Sequence, residues 1–298
     1  MTASIIDGKA ISAKVLEGLA SDIQELKKRG ITPAMAAVLI GDNPASEVYV
    51  RDKSRTAEQI GVKADTIRLP STATEAEAID LVKRLNADPN LHGFIVQLPL
   101  PKQMDENKVS HTMSPDKDID GFHPANLGHL VLGDAVFQPC TPAGVVQMLA
   151  ASGHSPEGKH VVICGRSNIV GRPLAIMLTQ KKKNANATVT VCHTGTKDMA
   201  YYTRQADIVI AAMGAPRAIT ADMVKPGVVV IDVGTTRVAD PTTKSGAKFV
   251  GDVDFDSVSQ KAAAISPVPG GVGPMTIAML MRNTVRAAKR AAGMPLED

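Results

Sequence analysis

The chain has 298 residues, with 33 Lys and Arg against 30 Asp and Glu, and 44% of its residues are hydrophobic. That composition excludes a disordered chain, and the length fits two domains of ordinary size. A net charge of +3, spread over scattered basic residues, gives no electrostatic footprint for nucleic acid.

The core has to be aliphatic. Five Phe, three Tyr and no Trp leave Val, Ile, Leu, Ala and 13 Met to fill it. Cys140, Cys164 and Cys192 form no CxxC pair, so neither a zinc site nor a disulfide framework is expected, and a reducing compartment fits. The start, MTASIIDGKA, lacks a basic stretch followed by an apolar run, so no signal peptide is expected. The longest apolar runs, such as 228–231, are strand-sized and predict no membrane span. The expectation is a soluble cytoplasmic protein without a metal.

A helical pattern over 10–29 leads into a predicted strand at 36–40. Ser46 is placed to cap a helix running to Ile60. Tyr49, Lys53, Ala57 and Ile60 then share one stripe, at spacings of four, four and three. Lys53 is the odd member. Burying an ammonium favours its neutral form and suits proton transfer. The alternative is a lysine that snorkels to water.

A strand at 65–69, a helix at 74–86 and a strand at 93–98 follow. Gln97 sits near the end of that last strand, and carboxyl ends of parallel strands open onto ligand crevices. It equally suits an amide that bonds a neighbouring loop. Residues 116–124 read DKDIDGFHP. Asp120-Gly121 is a tight-turn signal, which by itself accounts for the carboxylate. The stretch 116–141, with two Pro and three Gly, is the candidate domain boundary.

Beyond it a second series begins: a helix at 142–152, a strand at 160–164, a helix at 172–181, strands at 188–192, 208–212, 228–233 and 263–266, and a helix at 275–292. Strands alternating with helices predict an α/β protein with parallel sheets. Lysines 181–183 read as a solvated helix end. The last helix carries an apolar stripe (Ile277, Leu280, Met281, Val285 and Ala288). A return to the first domain would cover it.

Residues 160–173 read HVVICGRSNIVGRP. Gly165 turns the chain after a buried strand, Gly171 precedes a helix, and Pro173 sits in its first turn. Helix-start N–H groups beside a glycine turn hold anions. The spacing G-x-S-x-x-x-G meets the dinucleotide fingerprint only in part, and a plain βα turn is the alternative. The strand at 188–192 ends in His193-Thr194, where an NAD site carries an acid for the ribose 2′-hydroxyl. The missing acid and Arg166 in the first loop favour NADP, with Arg166 as a plain surface residue the alternative. Residues 266–276, SPVPGGVGPMT, make a rigid loop that a ligand can approach, or a hinge between domains. Cys164 and Cys192 end neighbouring predicted strands and read as small buried hydrophobes.

Seven segments thus stand in order: YVRDKSR at 49–55, FIVQLPLP at 94–101, DKDIDGFHP at 116–124, CTP at 140–142, GRSNIVGRP at 165–173, IDVG at 231–234 and PVPGGVGPMT at 267–276. Together they resemble the bifunctional methylenetetrahydrofolate dehydrogenase/cyclohydrolase family over essentially the whole chain. The resemblance implies an α/β fold of two domains with parallel-rich sheets, the second of Rossmann type. It implies a folate domain at 1–123 plus 275–298, an NADP-binding domain at 124–274, and a homodimer. The implied activities share one site in one-carbon metabolism, which feeds purine biosynthesis. One oxidises 5,10-methylenetetrahydrofolate with NADP⁺; the other hydrolyses the 5,10-methenyl product to 10-formyltetrahydrofolate.

Carried onto this sequence, Lys53 is the central catalytic residue of the hydrolysis, and Gln97 orients it. Tyr49 stacks on the aminobenzoyl ring of folate, and Asp120 hydrogen-bonds the pterin. Gly271, Pro274 and Thr276 line the folate and nicotinamide crevice. Gly165, Arg166 and Ser167 hold the cofactor's phosphates, with Thr194 and Thr235 beside it. Thr194 departs from the Ser common in the family, and Thr235-Thr236 departs from Ile-Asn. Both departures bear on cofactor affinity. Three rivals stand beside this reading. A Rossmann dehydrogenase of another substrate class would not require Tyr49, Lys53, Gln97 and Asp120 in a separate domain. A non-catalytic NADP sensor would tolerate loss of Lys53 or of the 271–276 loop. A dehydrogenase lacking cyclohydrolase is opposed by the intact Lys53 and Gln97.

Overall fold

A computed structural model describes residues 2–243 and 246–296. Strand β1 (Ser4–Ile5) precedes helices α1 (Gly8–Gly18) and α2 (Ala20–Lys28). Next come β2 (Ala34–Ile40), α3 (Pro44–Ile60), β3 (Lys63–Leu69), α4 (Glu75–Ala87) and β4 (Gly93–Val96). The helices α5 (Glu106–Thr112) and α6 (Pro124–Leu132) lead to α7 (Cys140–Ala151). Then follow β5 (His160–Cys164), α8 (Gly171–Thr179), β6 (Thr188–Cys192), α9 (Met199–Thr203), β7 (Ile208–Ala211) and β8 (Val229–Asp232). A hairpin of β9 (Thr236–Ala239) and β10 (Ala247–Val250), then α10 (Phe255–Ser259) and β11 (Ala264–Ile265), precede α11 (Val272–Ala291).

The chain divides into two units. One joins Met1–Ala13 to Pro139–Thr276, and the other joins Lys14–Gln138 to Ile277–Asp298. The division therefore falls at 138/139 instead of the expected 123/124. The start of the chain also belongs with the later strands, because β1 pairs with β11. Helix α6 stays with the preceding residues because the Asn126 amide donates to Asp118 and to the Pro115 carbonyl. The expected domain ends at 1 and 297–298 lie outside the described residues.

The first unit carries a six-stranded sheet in the order β1-β11-β8-β7-β5-β6, parallel throughout. β7 and β8 are buried along their whole length and read as continuous apolar runs, as strands covered on both faces do. The chain leaves β5 for the edge strand β6 and returns to β7 on the other side of β5. That reversal is a switch point, where open α/β sheets bind ligands beyond their carboxyl ends.

The second unit carries a three-stranded parallel sheet in the order β3-β2-β4. The central strand β2, AMAAVLI, is buried at every position. Ala36 and Val38 of β2, Phe94 and Val96 of β4, and Leu81 and Val82 of α4 form one apolar cluster. A capping box starts α4: Thr74 accepts from the Glu77 N–H, and the Glu77 carboxylate accepts from Thr74 N–H.

Several expectations change in detail. The 10–29 helix is two helices, broken at Leu19 after Gly18, where Leu19 N–H bonds back to Leu16. The strand expected at 65–69 is an exposed edge, half covered by pairs such as Arg68 with Glu47 at 2.6 Å. Ser46 does not cap α3. The helix begins at Pro44, and the Asn43 side chain accepts the Ser46 N–H at 3.2 Å. The strand of 93–98 ends at Val96, although the Gln97 N–H still donates to the Val38 carbonyl.

Candidate active site

Lys53 lies on α3, and Gln97 follows the carboxyl end of β4. Their side chains meet: Lys53 Nζ donates to Gln97 Oε1 at 3.1 Å. Gln97 Nε2 donates in turn to the Leu98 carbonyl at 2.9 Å, which fixes the amide with its oxygen toward the lysine. Lys53 is 7% exposed. It does not snorkel to water, and no ion pair is formed by it among the described residues. A buried amine held by a neutral amide keeps its chemistry available to a ligand. Tyr49, one turn earlier on α3, is half-buried, while Ala57 is fully buried.

Asp120 sits half-buried on a turn that another carboxylate builds. Asp118, 3% exposed, accepts from Gly121 N–H at 3.1 Å, His123 N–H at 2.7 Å and the Asn126 amide at 2.8 Å. Three donors on one buried group fix the backbone on both sides of Asp120. Burial still pushes the Asp118 carboxyl above its usual range. Sequence reasoning missed Asp118. The alternation of Asp118 and Asp120 about the apolar Ile119 was the available signal, and Ile119 is fully buried.

In the first unit, Gly165 follows β5 at the switch point. Its φ is +131°, and a Cβ there would lie 2.0 Å from the Ala212 carbonyl oxygen, so a side chain is excluded. Arg166 and Ser167 are exposed next to it. Ser167 Oγ accepts the Val170 N–H at 3.1 Å, which shapes the turn into α8. Arg172 is tied to Asn168 at 2.8 Å, whereas no carboxylate pairs with Arg166 among the described residues. At the end of β6, His193 Nδ1 accepts the Gly195 N–H, and Thr194 is exposed. That exit holds no acid, and Thr235 after β8 is also exposed. A glycine turn at the switch point, an unpaired arginine and no opposing carboxylate fit a dinucleotide with a 2′-phosphate.

Gly271 is buried at the start of α11, and Pro274 and Thr276 are half-buried in its first turns. Thr276 and Thr141 hydroxyls share a hydrogen bond of 3.0 Å. Cys164 and Cys192 are register partners, both buried and free, and burial pushes the Cys164 thiol up to about 12. Among the described residues no group of three His, Cys, Asp or Glu side chains is placed to hold a metal, and no helix is long and apolar enough to cross a membrane.

These features define a two-unit α/β protein with a site for an NADP-type dinucleotide. The sequence profile of the tetrahydrofolate dehydrogenase/cyclohydrolase catalytic domain matches residues 6–120, and that of the NAD(P)-binding domain matches residues 139–292. The bifunctional protein FolD of Chlorobium luteolum is 52% identical over 97% of this chain and 99% of its own, and that of Moorella thermoacetica is 52% identical over 97% and 100%. The FolD crystal structure from Campylobacter jejuni matches with a TM-score of 0.90 at 49% identity, covering 97% of this chain and 99% of the other. The Trypanosoma brucei FolD structure, complexed with NADP and an inhibitor, matches with a TM-score of 0.93 at 38% identity, covering 98% and 99%. The chain belongs to the tetrahydrofolate dehydrogenase/cyclohydrolase family.

Proposed function

We propose that this protein oxidises 5,10-methylenetetrahydrofolate with NADP⁺ and hydrolyses the resulting 5,10-methenyl cation to 10-formyltetrahydrofolate. The observation that carries the second activity is the buried Lys53–Gln97 pair. Bound NADP⁺ supplies the acceptor for the hydride that leaves the methylene carbon. The chain's own part in that step is placement, which needs no acid or base.

Hydrolysis does need proton transfer. Water attacks the methenyl carbon, and the Lys53 amine takes one of its protons at Nζ. As the hydroxyl of the tetrahedral intermediate becomes a carbonyl, its proton passes to solvent. The bond from carbon to N5 breaks, and Lys53 returns its proton to N5. The sum is one cation and one water in, and the formyl product and one proton out. Gln97 keeps Nζ directed through both transfers.

In this reading Tyr49 stacks on the aminobenzoyl ring, Asp120 hydrogen-bonds the pterin, and Gly271, Pro274 and Thr276 line the crevice. Gly165, Arg166 and Ser167 hold the phosphates, with Thr194 and Thr235 beside the cofactor. The protein works in the cytoplasm as a homodimer. Val131 and Leu132 of α6, 62% and 77% exposed, give apolar surface for a second copy to cover.

The test is a coupled assay with 5,10-methylenetetrahydrofolate and either NADP⁺ or NAD⁺, following reduced nicotinamide and 10-formyl product together. Formation of both with NADP⁺ is expected. NADPH with methenyl product alone would overturn the role of Lys53. Sedimentation is expected to give twice the 31.3 kDa chain mass.

A further inference from the structure

Asp232 and Asp252 are buried carboxylates that neither reaction uses. Asp232, the last residue of β8, is 3% exposed, and Asp252, just past β10, is 0% exposed. The Asp232 carboxylate accepts three backbone N–H groups, from Gly234 and Asp252 at Oδ1 and from Val253 at Oδ2, each at 2.9 Å. Asp252 Oδ2 accepts two more, from Met213 at 2.5 Å and Gly214 at 2.9 Å. Asp252 Oδ1 is buried without a hydrogen-bond partner among the described residues. Apolar side chains would fill the same space at lower cost in desolvation. The pair is therefore better explained by the backbone it places than by stability.

That backbone forms the turns beyond β7 and β8. Ala212, at the start of the β7 turn, donates its N–H to Cys164 at 2.8 Å, and its carbonyl lies against Gly165. On the other side, Asp232 N–H donates to Ser266 Oγ at 2.8 Å. Ser266 packs on Gly271, where a Cβ would come within 3.1 Å of the serine Cβ. One relay, buried at Asp252, Asp232 and Ser266, thus runs from the Gly165 turn through Met213–Gly214, Asp252, Asp232 and Ser266 to Gly271.

We propose that the Asp232–Asp252 pair is a positioning device that sets the spacing between the phosphate-holding turn at Gly165 and the loop that opens α11. It rests on the reading of residues 165–167 and 271–276 as cofactor and substrate contacts. Neither aspartate touches a ligand. The pair acts first on the cofactor step, and hydrolysis of supplied methenyl substrate feels it only through the 271–276 loop.

The experiment compares Asp252→Ala, Asp252→Asn and Ser266→Ala with the parent protein. It measures NADP⁺ dissociation constants, dehydrogenase kcat and KM, cyclohydrolase rate on supplied 5,10-methenyltetrahydrofolate, and thermal unfolding. Asp252→Ala is expected to weaken NADP⁺ by roughly tenfold or more, because misplacing a binding group by about 1 Å has that order of effect. Its cyclohydrolase rate is expected to fall clearly less than its dehydrogenase rate, a split that separates positioning from general damage. Asp252→Asn keeps an acceptor for Met213 and Gly214 and is expected to recover most of the affinity. A folded Asp252→Ala with parental NADP⁺ affinity would overturn the proposal, as would cyclohydrolase falling in step with dehydrogenase. Where Asp252→Ala does not fold, Ser266→Ala decides. It is expected to weaken NADP⁺ in the same direction, and unchanged binding overturns the proposal. If the parent protein itself fails to bind NADP⁺, the cofactor reading falls first and takes this one with it.

Discussion

Lys53 faces an amide, and that choice of partner matters. Gln97 offers Nζ a neutral acceptor at 3.1 Å and places no charge beside the amine. Lys53→Met keeps the length and apolar stem of the side chain but removes the proton carrier. The cyclohydrolase rate is expected to fall by roughly 10²- to 10⁴-fold, with the far-ultraviolet circular dichroism unchanged. Retained 10-formyl product would refute the assignment. Arg166 offers a second test. Removing one charged hydrogen-bonding partner costs about 1.5–3 kcal/mol, so Arg166→Ala is expected to raise KM for NADP⁺ by at least about tenfold and to leave NAD⁺ nearly unaffected. Equal losses for both cofactors would remove the 2′-phosphate from its role. Asp232 gives a pH prediction. Burial pushes its carboxyl up to about 6 from 3.8, against three N–H groups that act the other way. The folded chain then holds this proton more tightly than the unfolded one. The contribution to stability is full below pH 3.8 and is lost as pH rises through about 6, a change of about 3 kcal/mol. Carboxyl carbon resonances followed by NMR are expected to show an Asp232 midpoint near 6. A midpoint at or below 3.8 would mean that the N–H groups outweigh burial.

Turns and caps carry the site as much as the regular elements do. The 118–123 turn is held by Asp118, and Asp118→Ala would leave the N–H groups of Gly121 and His123 without their acceptor. The expected cost is about 2–4 kcal/mol, read as a lower unfolding temperature, with a raised KM for folate because Asp120 rides on that turn. An unchanged KM would detach Asp118 from the site. This element also shows where sequence reading stops. Strands β5 and β6 fall where the expected strands do because each is a short apolar run between turn residues. Lys53 and Gln97 were legible as odd polar residues in apolar contexts, though only the structure shows the bond between them. Asp118 was hidden because DKDIDG announces a turn without announcing which carboxylate is buried in it. The start of α3 was misplaced although Asn43-Pro44 is itself a cap followed by a first-turn proline. The two-residue strand β1 has no local signal at all, since its ladder depends wholly on β11.

At the scale of the molecule, the two units share out the ends of the chain. The final stretch, Ile277–Asp298, belongs with Lys14–Gln138. The Asn283 amide donates to the carbonyls of Ile119 and Gln138, and Lys289 Nζ, on a residue 5% exposed, donates to Asp22 at 2.8 Å. Asp22→Ala would strand that ammonium in the interior. The expected loss is about 3 kcal/mol, and at roughly 2–4 °C per kcal/mol a drop of several degrees or more in unfolding temperature is measurable by calorimetry. An unchanged transition would show that Lys289 finds another partner or reaches solvent.

The pairing of β1 with β11 sets the order in which the protein can be finished. Ser4 is made long before its ladder partner Ala264. Gln138 and Ile119 likewise await Asn283. Neither unit has all its residues until β11 and α11 have been made. Throughout elongation the nascent chain therefore carries one sheet lacking its outer strand pair and another lacking its last helix. Closure of both waits for β11 and α11, and a ribosome that stalls before them leaves two unfinished halves.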